Sequence, residues 1–178
     1  MSDLERKPLV GIVMGSDSDL KTMKPAGDIL EQFGIAHEYG LKSAHRTPKK
    51  MAEYGRLAVS RGLKVLIAGA GGSAHLPGML ASETRLPVLG VAIESSPDPS
   101  NAALGSMIRM PKGIPLATMG KGEAASANAG LEAVRILALM DETLGEAYDE
   151  YVMNMAREVE TKDLLLSQIG AAEYLAQM

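Results

Sequence analysis

A histidine and an arginine stand side by side in Ser43-Ala44-His45-Arg46-Thr47-Pro48, at a junction that reads as a strand handing over to a helix. Open α/β sheets place their chemistry at such junctions. An imidazole moves protons near neutral pH, and a guanidinium grips phosphate or carboxylate oxygens through charge-assisted hydrogen bonds. Two other segments share this placement: Gly15-Ser16-Asp17-Ser18-Asp19 near the N-terminus and Gly69-Ala70-Gly71-Gly72-Ser73-Ala74-His75-Leu76-Pro77-Gly78 in the middle. Together they offer backbone donors, hydroxyls, carboxylates, a guanidinium and two imidazoles to a small phosphorylated ligand.

Each segment also has a plainer reading. A hydroxyl-rich turn is by itself an ordinary helix cap; as part of a site, Ser16, Ser18 and the helix N-terminus hold phosphate or hydroxyl oxygens. Asp19 repels phosphate and suits ribose hydroxyls. The glycine-rich segment matches neither G-x-G-x-x-G with a downstream acid nor the Walker pattern, so its glycines are read as allowing close backbone approach to a planar ring. Arg46 could be a solvated charge, but a guanidinium at a helix N-terminus opposes the dipole unless an anion lies between them. His45 and His75 lie in site loops, whereas His37 lies within a strand and is read as surface or structural. No metal site is expected, because Asp17 and Asp19 precede a helix and do not flank the imidazoles.

The elements that must position these residues alternate. Strands are expected over Leu9–Met14, Ile35–Lys42, Lys64–Ala68, Pro87–Ile93 and Pro115–Met119, and the second is the least hydrophobic and most peripheral. Between them, helical spacing marks Ser18–Phe33, a helix from Pro48 to near Gly62 with Thr47 as N-cap, Leu76–Thr84, Ala102–Met110 and Ala124–Met140. Pro25 is expected to kink the first of these helices. The loop Glu94–Asn101 is kept irregular by Pro97 and Pro99. Alternating strands and helices imply a parallel, doubly wound sheet. In flavodoxin-like order the first and third strands are neighbours at the switch point, so the three loops would converge on one crevice.

The chain of 178 residues suits one α/β domain, with 142–178 as a helical extension. Leu144, Ala147, Tyr151, Met155, Val159 and Leu166 recur about once per turn there, a stripe that a partner subunit would cover. Packing back onto its own domain is the plainer alternative. A net charge of -4 argues against nucleic-acid wrapping or a polybasic membrane anchor. The absence of cysteine excludes disulfides and thiolate metal sites, and a cytoplasmic location is expected. No secretory signal is read in Met1–Pro8, and the uncharged run Val65–Ser82 is too broken by Gly, Ser, His and Pro to be a membrane span.

Read together, these motifs resemble the class I N5-carboxyaminoimidazole ribonucleotide mutases of purine biosynthesis. The resemblance spans Val10 to Ala138 and includes Met110-Pro-Lys-Gly-Ile-Pro alongside the three loops. It implies a flavodoxin-like three-layer fold, a homo-octamer, and cofactor-free migration of a carboxylate from the exocyclic N5 to ring carbon C4 of a small ribonucleotide. Carried onto this chain, it implies that Ser16, Ser18 and Arg46 meet the 5'-phosphate region and Asp19 the ribose. Ser43 and the Gly71-Gly72 backbone would meet the carboxylate and base, His45 would transfer the proton, and His75 would shape the pocket. The chain departs from the family pattern at Ser95–Pro99, at Ala103-Leu104-Gly105-Ser106 and at Gly120-Lys121, which bears on the lid or subunit contact and on packing after the fifth strand. Two alternatives are a carboxylase that uses free carbon dioxide and a non-catalytic nucleotide-binding module on the same fold.

Overall fold

The computed structural model describes residues 7–94 and 101–178; the proline-containing part of the Glu94–Asn101 loop lies outside the described residues. The chain divides into two compact units, 1–137 and 138–178. The first contains β1 (Val10–Met14), α1 (Leu20–Gln32), β2 (His37–Leu41), α2 (Pro48–Ala58), β3 (Val65–Gly71), α3 (His75–Glu83), β4 (Val88–Ile93), α4 (Ala102–Met107), β5 (Ala117–Lys121) and α5 (Gly122–Ala138). The strands form one parallel sheet in the order β2-β1-β3-β4-β5. The order reverses between β1 and β3, which puts the crevice of a doubly wound sheet at their carboxyl ends.

Burial follows from this order. β1 and β4 are buried along their whole length, as continuous apolar runs covered on both faces must be. β2, on the sheet edge, has no fully buried residue, which matches its weaker hydrophobicity. On one face Val13, Leu66, Ala68, Ala70, Val88 and Ala92 pack with Met51, Tyr54, Leu76, Leu80 and Met107 from α2, α3 and α4. On the other face, Gly69 makes room for Met23 of α1, since a Cβ there would stand 2.3 Å from the methionine sulfur. α5 lies against α1 on this side: a Cβ at Gly130 would stand 2.8 Å from the Ala26 carbonyl oxygen. The result is a three-layer α/β architecture.

Several boundaries differ from the sequence expectation. A short 3-10 turn, Asp17–Asp19, precedes α1, because the Asp19 carboxylate accepts the Ser16 N–H at 3.0 Å and draws the chain into a tighter turn. β5 starts and ends two residues later than expected, so Gly120 and Lys121 lie within the strand and not after it. The strand is irregular there: its register against β4 shifts between Gly90 and Ala92, and Gly120 has a φ of 102°. α4 stops at Met107, short of Met110. His37 is structural, its side chain only 9% exposed and its ring edge-on to Tyr39. Both rings fit over α1 because Gly27 carries no Cβ, which would otherwise meet the Tyr39 hydroxyl.

The second unit contains α6 (Glu142–Ala176), interrupted at Gly170, where φ is 78°. Asp141 caps it by accepting the Leu144 N–H at 3.1 Å. The helix takes up nearly all of the 142–178 extension expected from the sequence, and none of its residues is buried. Among the described residues, no helix is long and apolar enough to cross a membrane.

Candidate active site

The loops after β1, β2 and β3 enclose a cleft of about 420 Å³. Gly15, Asp19, Ser43, His45, Arg46, Gly71, Gly72 and His75 line it, so residues up to 60 positions apart in sequence meet at the β1/β3 switch point. Ala44, Ala70, Ala74 and Leu76 complete the wall.

The β1 loop contributes a turn held by its own carboxylates. Asp17 accepts the Ser16 hydroxyl and the Ser18 N–H, each at 3.0 Å. The Ser16 hydroxyl first, then the Ser18 N–H and the more distant Arg46 charge, hold the Asp17 carboxyl below its usual range. Ser16 and Ser18 are not part of the cleft wall, although their neighbours Gly15 and Asp19 are. The Ser16 hydroxyl is engaged by Asp17, so to meet an incoming ligand it would have to turn away from that carboxylate.

The β2 loop is a compact turn. The Thr47 N–H and hydroxyl both donate to the Ser43 carbonyl, at 3.0 and 3.1 Å. Thr47 therefore occupies the N-cap position of α2 without capping it by its side chain; its hydroxyl closes the preceding turn instead. The Arg46 N–H donates to Ser43 Oγ at 3.1 Å. The Arg46 guanidinium donates from Nε to the same oxygen at 3.4 Å and from Nη2 to the Gly15 carbonyl at 2.7 Å. Arg46 thus straps the β1 loop to the β2 loop. A guanidinium has five N–H donors, and these two bonds leave three for an anion in the cleft.

The β3 loop folds back sharply. Gly72 has a φ of 57° and Ala74 a φ of 46°, and the Ala74 N–H donates to the Gly71 carbonyl at 3.0 Å. A left-handed conformation costs an alanine roughly 1 kcal/mol or more, and here that strain sits in the cleft wall. The turn makes His75 the first residue of α3 and brings its Nδ1 to 2.9 Å from His45 Nε2. The two rings lie nearly perpendicular, at 78°, with centroids 5.1 Å apart. One nitrogen of the pair donates and the other accepts, so the tautomers of both rings are linked. Both side chains are exposed to the cleft.

Sequence reasoning assigned no role to Ala74 or to the Gly15 carbonyl. Nothing in the letter Ala announces a positive φ, and a backbone acceptor leaves no trace in composition. Ala70 lies within β3, which runs to Gly71, three residues past the Ala68 end expected for that strand. Lys121, one of the departures from the family pattern, reaches Glu94 Oε1 at 2.5 Å and Asn101 Oδ1 at 2.9 Å. It ties together the two residues that flank 95–100. Among the described residues, no group of three His, Cys, Asp or Glu side chains could hold a metal ion.

This arrangement brings a hydrogen-bonded imidazole pair, a guanidinium with N–H donors to spare and the glycines of the β3 loop into one open pocket. The AIR carboxylase family model matches residues 9–158. An N5-carboxyaminoimidazole ribonucleotide mutase of Thermotoga maritima is 50% identical over 170 residues, which cover 96% of this chain and 98% of that one. The mutase of the same name from Pyrococcus horikoshii is 48% identical over 171 residues, 96% of each chain. The crystal structure of Treponema denticola PurE superimposes with a TM-score of 0.80 at 28% identity, over 89% of this chain and 98% of that one. The matches take in the loops after β1, β2 and β3 together with the sheet that positions them, and the chain belongs to the AIR carboxylase family.

Proposed function

We propose that this protein is an N5-carboxyaminoimidazole ribonucleotide mutase of purine biosynthesis, an isomerase that forms 4-carboxy-5-aminoimidazole ribonucleotide. The observation that carries this reading is the convergence of His45, Arg46, Asp19 and the Gly71-Gly72 backbone on one cleft, in a chain about half identical to mutases along nearly its whole length.

The chemistry needs one proton carrier. The bond from N5 to the carboxylate carbon breaks, carbon dioxide is released into the cleft, and N5 takes a proton from the His45 imidazolium. C4 of the electron-rich aminoimidazole then attacks carbon dioxide, and His45 recovers a proton from C4. Protons balance over the cycle. Holding carbon dioxide beside the ring converts a bimolecular addition into an effectively unimolecular one. The His45–His75 contact orients the ring that does this work.

In the same reading the 5'-phosphate is met by Arg46, Ser16 and Ser18, the ribose hydroxyls by Asp19, and the carboxylate and base by Ser43, Gly71 and Gly72. His75 shapes the pocket. The protein is a nucleotide-binding cytoplasmic homo-oligomer, an octamer by its resemblance to the family, and 142–178 serves as the assembling extension of a single catalytic domain. Support for the oligomer comes from α6, which has no buried residue and carries Val159 66% exposed.

The test is to incubate the purified protein with N5-carboxyaminoimidazole ribonucleotide, without ATP or added bicarbonate, and to follow formation of the C4-carboxylated product. Conversion supports the mutase. Conversion of aminoimidazole ribonucleotide only when carbon dioxide is supplied would make it a carboxylase, and binding without conversion would make it a regulatory module.

A further inference from the structure

We propose that Arg46 is a positioning residue for the Ser43 hydroxyl, and that the pair makes the cleft prefer carboxylated over decarboxylated aminoimidazole nucleotides; this rests on the function proposed above. A serine hydroxyl has one proton to donate and two lone pairs to accept with. Arg46 takes both lone pairs of Ser43 Oγ, through its backbone N–H at 3.1 Å and its Nε–H at 3.4 Å. Toward anything entering the cleft, the hydroxyl is therefore a donor only.

A donor-only group discriminates. It satisfies a carboxylate oxygen, whereas beside a ring that carries only a C4–H it finds no acceptor on the ligand. The two nucleotides compared here share phosphate, ribose and ring, and differ in the carboxylate that a donor can recognise. The guanidinium also polarises the hydroxyl it bonds, and this strengthens the outgoing hydrogen bond. Its Nη2 is held by the Gly15 carbonyl at 2.7 Å, so Nε is anchored in place by the β1 loop. The turn itself does not depend on the hydroxyl, because Thr47 closes it through the Ser43 carbonyl.

The experiment compares binding of 4-carboxy-5-aminoimidazole ribonucleotide and 5-aminoimidazole ribonucleotide to the wild-type protein, Arg46→Lys, Ser43→Ala, Ser43→Thr and the Arg46→Lys/Ser43→Ala double variant. Lysine keeps a positive charge for the phosphate but has no Nε–H. The wild-type protein is expected to prefer the carboxylated nucleotide. Arg46→Lys is expected to cut that preference roughly tenfold, the scale of one hydrogen bond to a charged group. Ser43→Ala should cut it as much and the double variant no further, while Ser43→Thr retains it. Equal weakening of both nucleotides by Arg46→Lys would overturn the proposal, and so would a second, independent loss in the double variant. A wild-type protein that binds neither nucleotide would remove the functional reading itself, a failure visible before any substitution is made.

Discussion

The Ser126 hydroxyl of α5 accepts the Ala26 N–H of α1 at 3.2 Å, one residue after Pro25. Ser126 is fully buried, and this bond satisfies it. Proline interrupts the hydrogen-bond ladder of α1 and crowds the preceding turn. α1 nonetheless runs unbroken from Leu20 to Gln32; a polar side chain from the facing helix meets its backbone next to the proline, and Gly130, one turn further along α5, lets the two helices approach.

Ser126→Ala is accordingly expected to destabilise the protein by about 1–3 kcal/mol, since it leaves a buried N–H without this partner. Gly130→Ala should cost at least as much, because its Cβ would stand 2.8 Å from the Ala26 carbonyl oxygen. Urea unfolding measures both. A Ser126→Ala midpoint equal to that of wild type would show that the contact contributes nothing.

His45→Asn should leave stability within about 0.5 kcal/mol, as for most exposed positions away from packed features. Nucleotide binding should persist while turnover is lost, because an amide cannot carry a proton near neutral pH. Substrate titration and turnover on the same preparation separate the two effects. His75→Asn is expected to reduce turnover far less, as only one group must exchange a proton with C4. Near-normal turnover in His45→Asn would transfer the proton step to His75.

Arg46→Ala should weaken nucleotide binding by about 1.5–3 kcal/mol and weaken the dephosphorylated nucleoside much less, because the lost bonds to phosphate are charge-assisted. Calorimetric titration of the two ligands is the measurement. Identical losses would place the guanidinium away from the phosphate.

Tyr54 predicts an alkaline signature. It is buried, its hydroxyl donates to Glu38 at 2.8 Å, and Arg61 pairs with the other Glu38 oxygen at 2.5 Å. Burial, and then the Glu38 carboxylate, push the phenol well above its ordinary value. A raised folded-state pKa gives stability that is whole below the unfolded value, near pH 10, and is lost as pH rises past it. Tyr54→Phe should therefore cost about 1.5 kcal/mol at neutral pH, with the gap to wild type narrowing above about pH 10. Thermal melts at pH 7 to 11 measure this; a gap that stays constant would mean the folded phenol titrates normally.

Light scattering is expected to find an oligomer at micromolar concentration. Removal of 142–178 should lower its mass, because α6 carries an apolar stripe and no buried residue. A monodisperse, active monomer of the full chain would refute the assembly.

Periodicity carried most of the architecture. Uninterrupted apolar runs such as Val10–Met14 and Val88–Ile93 have no polar face and require cover on both sides, so the buried parallel sheet was legible without coordinates. The weak hydrophobicity of β2 likewise announced an edge. Residue type and placement also singled out His45, Arg46, Asp19 and His75, because strand-to-helix loops at one sheet end must lie near one another. What periodicity leaves open is the direction of each side chain. The 2.9 Å approach of His45 to His75 depends on the left-handed backbone of Ala74, which only a surrounding structure that over-determines it can impose. The strap from Arg46 to Gly15 and the turn of the Ser16 hydroxyl toward Asp17, outside the cleft wall, are choices among competing hydrogen-bond partners. Those choices follow from distances between segments far apart in the chain, and tertiary packing sets those distances.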